Sequence, residues 1–120
     1  MLDYARGDAT ALRALAADPD IADRIVGFHA QQSVEKAMKS VMLSRRVKPP
    51  RIHDLGRLTQ MLESDHLPPP IAHDIVIALT RYAADERYPS GMIEPLDRGA
   101  AQAAVDEVLA WAAPLVEKDA

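Results

Sequence analysis

The stretch IADRIVGFHAQQSVEKAMKSVMLSRRVKPP, residues 21–50, decides the fold of this chain. When it is projected at 100° per residue, its apolar side chains fall on one arc of a helix. That arc holds Val26, Ala30, Val34, Ala37, Met38, Val41 and Met42. Asp20 or Asp23 is predicted to start the helix, and it should stop near Arg46, since Lys48-Pro49-Pro50 disfavours further helical turns. We therefore predict one long helix with a buried apolar side.

The other side of this helix is polar but not uniformly so. It carries His29, Gln32, Glu35, Lys36 and Lys39, which we call the polar face of the helix. A solvated surface is the commonest reason for such a face on an amphipathic helix. An apolar side chain, Phe28, lies within it and favours a contact surface instead, such as the interface of a dimer.

Helical periodicity continues on both sides of this segment, and no strand pattern competes with it. A first helix is predicted over 2–17 and a short one from Asp54, whose carboxylate should accept the amides of Gly56 and Arg57, to about residue 64. A fourth helix should start at Pro68-Pro69-Pro70 and reach about Glu86. A fifth helix should start near Pro95, and Pro114 should bend or fray its last turn. Short connections favour antiparallel neighbours, so we expect an all-α, up-and-down four-helix bundle with an additional short helix.

Composition narrows the class of protein. At 120 residues the chain is expected to form a single domain, 1–120. It is 48% hydrophobic and 27% charged, and no apolar run approaches the length of a membrane span. The chain has no cysteine, which excludes thiol catalysis and cysteine-based metal sites, and no cofactor is expected. No signal-peptide pattern opens the chain, so a cytoplasmic location is expected. His66 and His73 have no ligating partner four residues on, so no metal site is predicted.

Charge is distributed unevenly along the chain. The net charge is −4, yet the segment 36–52 carries six basic residues and no acidic one, so the rest of the chain carries −10. Those six are Lys36, Lys39, Arg45, Arg46, Lys48 and Arg51. Arg45 and Arg46 suit the C-terminus of a helix, but a local basic patch on an acidic protein is also typical of a phosphate-binding site.

Two short motifs lie on the connecting segments. His53-Asp54 places an imidazole at the start of the short helix, where backbone amides favour anions, although a structural role beside the cap is as good an explanation. Arg87-Tyr88-Pro89 places a guanidinium and a phenol on a rigid loop, which suits phosphate binding and base stacking or, equally, the tying of two helices.

Three motifs in order, 28–39 (FHAQQSVEKAMK), His53-Asp54-Leu55 and Arg87-Tyr88-Pro89, resemble the HEPN domain family (higher eukaryotes and prokaryotes nucleotide-binding). The resemblance implies a helical bundle, usually a symmetric dimer, that associates with a nucleotide or RNA. It also implies frequent pairing with a minimal nucleotidyltransferase, often as a toxin and antitoxin. Together with the local charge, it gives these candidate binding residues: Gln32, Lys36, Lys39, Arg51, His53, Arg87 and Tyr88.

Many proteins of that family are metal-independent ribonucleases with an R-x(4 to 6)-H motif in the region of the fourth helix, and the segment 81–89 here contains no histidine. Literal matches occur only elsewhere, at Arg24 to His29, which would point about 140° apart on one helix, and at Arg46 to His53. A non-catalytic binding module is therefore the favoured interpretation. The alternative is a ribonuclease in which His53 acts with Arg46 or Arg51.

Overall fold

The computed structural model describes residues 1–83 and 95–117 and shows five helices in them. They are α1 (Leu2–Ala16), α2 (Asp23–Ser44), α3 (Leu55–Ser64), α4 (His73–Thr80) and α5 (Arg98–Glu117). No strand occurs within these residues, which confirms the all-α prediction. None of the helices in the two described ranges is long and apolar enough to cross a membrane.

Helix α2 begins at Asp23, one of the two residues predicted to start it, but without a side-chain cap. Its N-cap is Ala22, without a side-chain hydrogen bond, so neither Asp20 nor Asp23 caps it. Asp23 lies inside the first turn, and its carboxylate accepts the Leu96 amide at 2.9 Å and the Arg98 Nε at 3.0 Å. The Asp23 carboxylate, which could have capped α2, is thus bound to the start of α5 instead.

Two helices end in the same way, with a residue of positive φ that is not glycine. After α2, Arg46 has φ 60°, and the Val47 amide donates to the Met42 carbonyl at 2.9 Å. After α3, His66 has φ 61°, and the Leu67 amide donates to the Leu62 carbonyl, also at 2.9 Å. These are Schellman turns, so α2 stops two residues before the predicted end and well before the prolines.

The boundaries of the later helices agree with their predictions at α3 and differ at α4 and at the start of α5, which is Arg98 and not Pro95. Asp54 caps α3 as predicted, accepting the Gly56 amide at 2.9 Å and the Arg57 amide at 3.3 Å. Helix α4 begins at His73, after the prolines rather than at them, and ends at Thr80, six residues before its predicted end near Glu86. Helix α5 continues through Pro114 to Glu117.

Side-chain contacts fix the directions of the helices. Ser33 donates to the Ala5 carbonyl and His29 contacts Asp8, so α1 runs antiparallel to α2. Arg6 pairs with Glu117 and Arg13 with Asp106, which makes α1 antiparallel to α5 as well. Helix α4 returns towards the start of α2. Helices α1, α2, α4 and α5 therefore alternate in direction, as the up-and-down prediction requires.

The short helix α3 runs in the same direction as α2. Thr59 contacts Met38, and Arg45 at the end of α2 lies 3.7 Å from Asp65 at the end of α3. This parallel arrangement is possible because the segment 47–54, which we call the return segment, leads the chain back along α2 before α3 begins. The expectation that consecutive helices are antiparallel therefore does not hold for α2 and α3.

The core lies around α2, which packs against each of the other four helices. All seven residues of the predicted apolar arc of α2 are buried. Helix α5 adds the buried residues Ala101, Ala104, Val105, Val108 and Ala112. One glycine is required by packing: a Cβ at Gly27 would lie 2.5 Å from the ring of Tyr82. The ring of Tyr82, just after α4, therefore packs on α2 at a position that carries no side chain.

Candidate functional site

The polar face of α2 is built around the buried carboxylate of Glu35. Its Oε1 accepts hydrogen bonds from Gln31 Nε2 at 2.8 Å and from His53 Nδ1 at 2.9 Å. Its Oε2 accepts one from Lys39 Nζ at 3.1 Å. A buried carboxylate needs such partners, because removing it from water is costly unless its charge is paired and its oxygens are hydrogen-bonded.

The same face of α2 holds the return segment in place. Lys39 Nζ also donates to the Ile52 carbonyl at 2.9 Å, and Gln31 Nε2 donates to the His53 carbonyl at 3.1 Å. Two successive backbone carbonyls are thus bound by side chains of one helix, spaced two turns apart. The position of His53 is therefore set by α2 as well as by the cap of α3.

The His53 ring is oriented by Glu35 and open to solvent. A carboxylate only accepts hydrogen bonds, so Nδ1 carries the proton in this contact and Nε2 is the other ring nitrogen, without a partner among the described residues. The side chain of His53 remains 65% exposed, whereas that of Glu35 is buried. An imidazole fixed on one nitrogen by a carboxylate presents the other to a ligand in a defined direction.

A second histidine is bound in the same manner on the α1 side of this face. His29 Nδ1 lies 3.0 Å from Asp8 Oδ1, and Lys36 Nζ lies 2.6 Å from Asp8 Oδ2. Asp8 thus joins one histidine and one lysine, as Glu35 joins His53 and Lys39. Asp8 is not predictable from the sequence, because nothing in the pattern of α1 distinguishes this residue from its other polar positions.

On the α2 projection, Gln32 lies between these two groups, whereas Phe28 falls between Glu35 and Lys39. Phe28 is 38% exposed, and its ring meets that of His29 edge to face at 5.7 Å. Gln32 Nε2 donates to Gln31 Oε1 at 2.7 Å, which leaves the Gln32 carbonyl oxygen as its remaining polar atom. The polar face is consequently a strip with an imidazole at each side and an aromatic ring and an amide within it.

The structure brings some of the predicted site residues together and separates others. Gln32, Lys39 and His53 belong to the network around Glu35, whereas Lys36 is bound to Asp8. Arg51 is exposed on the return segment next to this network. Arg87 and Tyr88 lie outside the described residues, so their contribution stays a prediction.

The basic patch is less positive than the sequence indicates. Lys36, Lys39 and Arg45 are each paired with a carboxylate, of Asp8, Glu35 and Asp65 respectively. In the part of the chain that the structure describes, Arg46, Lys48 and Arg51 have no ion-pair partner. Of these three cations, Arg51 is the nearest to His53 along the chain, two residues before it, whereas Arg46 lies past the end of α2. Within the same residues, no group of three histidine or acidic side chains is arranged to hold a metal ion.

Comparison with known proteins agrees with this architecture. A family model described as HEPN domain matches residues 10–115, which include α2, the return segment and most of the other helices. No curated protein and no solved structure is significantly similar to the chain. The match covers most of the chain and marks it as a nucleotide- or RNA-related module. The chain belongs to the HEPN domain family.

Proposed function

We propose that this chain is a non-catalytic HEPN module that binds a nucleotide or RNA on the polar face of α2 and the return segment. The observation that carries the proposal is the exposed His53 ring, which is hydrogen-bonded to the buried Glu35. The unpaired Arg51 lies two residues before it in the chain. A guanidinium donates hydrogen bonds to phosphate oxygens, and Nε2 of His53 does so when the ring is the doubly protonated imidazolium. The Gln32 amide and the Phe28 ring suit a base.

The pairing of Lys36 and Lys39 refines the role of these two residues. Each is bound to a carboxylate of the chain itself, so each reaches a phosphate only by sharing or exchanging that partner. We therefore assign phosphate contact mainly to Arg51 and His53, and to Lys39 the task of holding the return segment. Arg87 and Tyr88 remain proposed contributors from the loop after α4.

Binding is tested with fluorescently labelled ATP, GTP and a short single-stranded RNA at about 50 and about 200 mM salt. Affinity should fall as salt rises, and Arg51→Ala should reduce the salt slope by about 0.7, as expected for one lost contact to a single-stranded phosphate. His53→Ala should weaken binding at both salt concentrations. Arg13→Ala, which removes an exposed arginine from α1, is the matched control and should leave binding unchanged.

Two results would contradict the proposal. One is the absence of binding to all three ligands at the lower salt concentration. The other is an equal loss of affinity in Arg13→Ala and Arg51→Ala, because binding would then depend on net charge and not on this face.

The second candidate is a metal-independent ribonuclease with His53 as its acid-base residue, and the Glu35 contact is the observation that favours it. A carboxylate that fixes the tautomer and orientation of a histidine is a common arrangement in acid-base catalysis. Arg51 is the available charge-stabilising group beside it, whereas Arg46 would have to come from another copy. Cleavage of labelled RNA in the presence of a chelator tests this activity, and it should disappear in His53→Ala. Unchanged cleavage in that variant would remove His53 from the mechanism.

We also propose a partner protein, a minimal nucleotidyltransferase in a pair of the toxin-antitoxin type, and a homodimer. The support for the dimer is Phe28, an exposed aromatic ring on an otherwise polar strip. Sedimentation of Phe28→Asp separates dimer formation from ligand binding at this face: a dimer that becomes a monomer places the interface here, while an unchanged mass leaves the face to ligands. An adjacent reading frame for a nucleotidyltransferase supports the partner, and its absence argues against the pair.

A further inference from the structure

A second surface lies at the end of the bundle where α2 and α3 both terminate. The Arg45 to Asp65 contact shows that the two helix ends are neighbours. Arg45 follows Glu35 by ten residues, so this end is about 15 Å along α2 from the network around His53. Binding at this end of the bundle can therefore be tested separately from the function proposed for the polar face.

Between the two helix ends is an apolar cavity of about 210 Å³. Met42 and Val47 line it from the α2 side, and Met61 and Leu62 line it from α3, with Ser64 and Asp65 at its polar edge. Binding sites for small organic ligands are typically larger, about 300 to 1,000 Å³, whereas a cavity of about 150 Å³ accepts a benzene ring. The cavity is thus sized for one large apolar side chain. The two methionines suit that use, because their flexible side chains adapt to different shapes.

Two cationic residues are the chain neighbours of the lining residue Val47, although the chain as a whole carries −4. Arg45 is balanced by Asp65, but Arg46 and Lys48 have no ion-pair partner in the described ranges 1–83 and 95–117. Both are exposed, and Val47 between them is 38% exposed. An apolar cavity with two unpaired cations beside it is complementary to an apolar side chain flanked by carboxylates.

The backbone at this end supports a binding role. Arg46 and His66 both adopt φ near 60°, a conformation that is less favourable in residues other than glycine. Glycine at either position would form the same helix-ending turn at lower cost. Cationic or titratable side chains thus occupy two positions at which stability alone favours glycine, and each is next in the chain to a residue that lines the cavity, Val47 or Asp65.

We propose that this surface, formed by Met42, Val47, Met61 and Leu62 with Arg46 and Lys48 at its edge, binds an acidic segment of a partner protein that inserts one large apolar side chain. The apolar side chain fills the cavity, and its neighbouring carboxylates pair with Arg46 and Lys48. Burial of the apolar side chain supplies most of the affinity for the partner segment. Arg46 and Lys48 orient that segment and disfavour basic segments.

The test is selection of a random peptide library on the intact chain, followed by affinity measurements on the enriched peptides. We expect sequences with a large apolar residue flanked by aspartate or glutamate. Val47→Asp should weaken their binding at least about tenfold, since it places a charge at the cavity. Arg46→Glu should weaken it several-fold and shift selection away from acidic peptides.

Controls keep the result specific to this surface. Ile77→Asp changes an apolar side chain of similar exposure, 45%, on α4 and should leave peptide binding intact. Ser64→Glu adds a carboxylate at the cavity edge without removing an apolar contact, so it tests the surface even if Val47→Asp reduces folding. His53→Ala should have no effect, which distinguishes this surface from the polar face.

Three outcomes would overturn the proposal: no enriched peptide, enriched peptides that are basic or lack an apolar residue, or binding that survives both Val47→Asp and Ser64→Glu. Sedimentation covers a fourth. If the chain is a dimer that Val47→Asp converts to a monomer, the occupant of the cavity is a second copy and the acidic partner is wrong.

Discussion

At the scale of single residues, Gly27 and Gly7 differ although both lie inside helices. A Cβ at Gly27 would meet three atoms of the Tyr82 ring at 2.5 to 2.8 Å, closer than van der Waals contact allows. A Cβ at Gly7 has no neighbour within 4 Å. The two glycines have the same helix propensity, so the packing of α4 on α2 is what separates them.

We expect Gly27→Ala to lower the free energy of unfolding by about 1 to 3 kcal/mol, because the ring of Tyr82 must move out of its packed position. The matched variant Gly7→Ala should raise it by about 0.5 to 1 kcal/mol through helix propensity alone. Urea denaturation followed by circular dichroism measures both. Equal changes in the two variants would show that the close approach of Tyr82 is not required.

At the scale of elements, Arg98 joins the start of α5 to the connection between α1 and α2. Its guanidinium donates to the carbonyls of Ala16, Asp18 and Ile21, and its Nε to the carboxylate of Asp23. Carbonyls left unpaired at the end of a helix are normally bound by water or by a capping turn. Here one side chain binds them, which fixes three elements relative to one another.

Arg98→Ala should lower the free energy of unfolding by about 2 to 3 kcal/mol, because several partly buried carbonyls and the Asp23 carboxylate lose their donor. Arg98→Lys should recover only part of this, since an ammonium group cannot reproduce the fork of the guanidinium. The control is Arg13→Ala, whose arginine makes one exposed ion pair and should change stability by less than about 1 kcal/mol. A loss in Arg98→Ala no larger than in Arg13→Ala would contradict this role.

At the scale of the whole molecule, Tyr82 couples global stability to alkaline pH. Burial raises the pKa of its phenol above the ordinary value of 10.0, and the charge of Asp23 raises that pKa further. In the unfolded chain the phenol ionises near its ordinary pKa, while in the folded chain it stays protonated to higher pH. Stability contributed by the protonated ring is therefore complete below about pH 10 and decreases as pH rises above it.

Thermal unfolding between neutral pH and about pH 11 checks this coupling. The transition temperature should fall less steeply above pH 10 in Tyr82→Phe than in the wild type, because phenylalanine keeps the packing but cannot ionise. Tyr4→Phe, which changes an exposed tyrosine, is the control and should follow the wild type. Parallel alkaline curves for Tyr82→Phe and the wild type would rule out Tyr82 as the source of the effect.

Local pattern was sufficient for most of the secondary structure. The apolar arc of α2 identified its buried side residue by residue, because the 3.6-residue period depends only on spacing along one helix. The Asp54 cap was predictable for the same reason, since the carboxylate and the amides it accepts lie within three residues. The order of the three motifs was likewise enough to indicate the family.

Tertiary structure alone decided which charges are available for a ligand. The pairing of Asp8 with Lys36 and His29 joins residues more than twenty positions apart, and the bond from His53 to Glu35 depends on the return segment running back along α2. The parallel direction of α3 and the cavity at its end have the same origin. Periodicity describes one helix at a time, whereas ion pairs and cavities form where separate helices meet, so the amino-acid sequence determined the elements and their packing determined the candidate site.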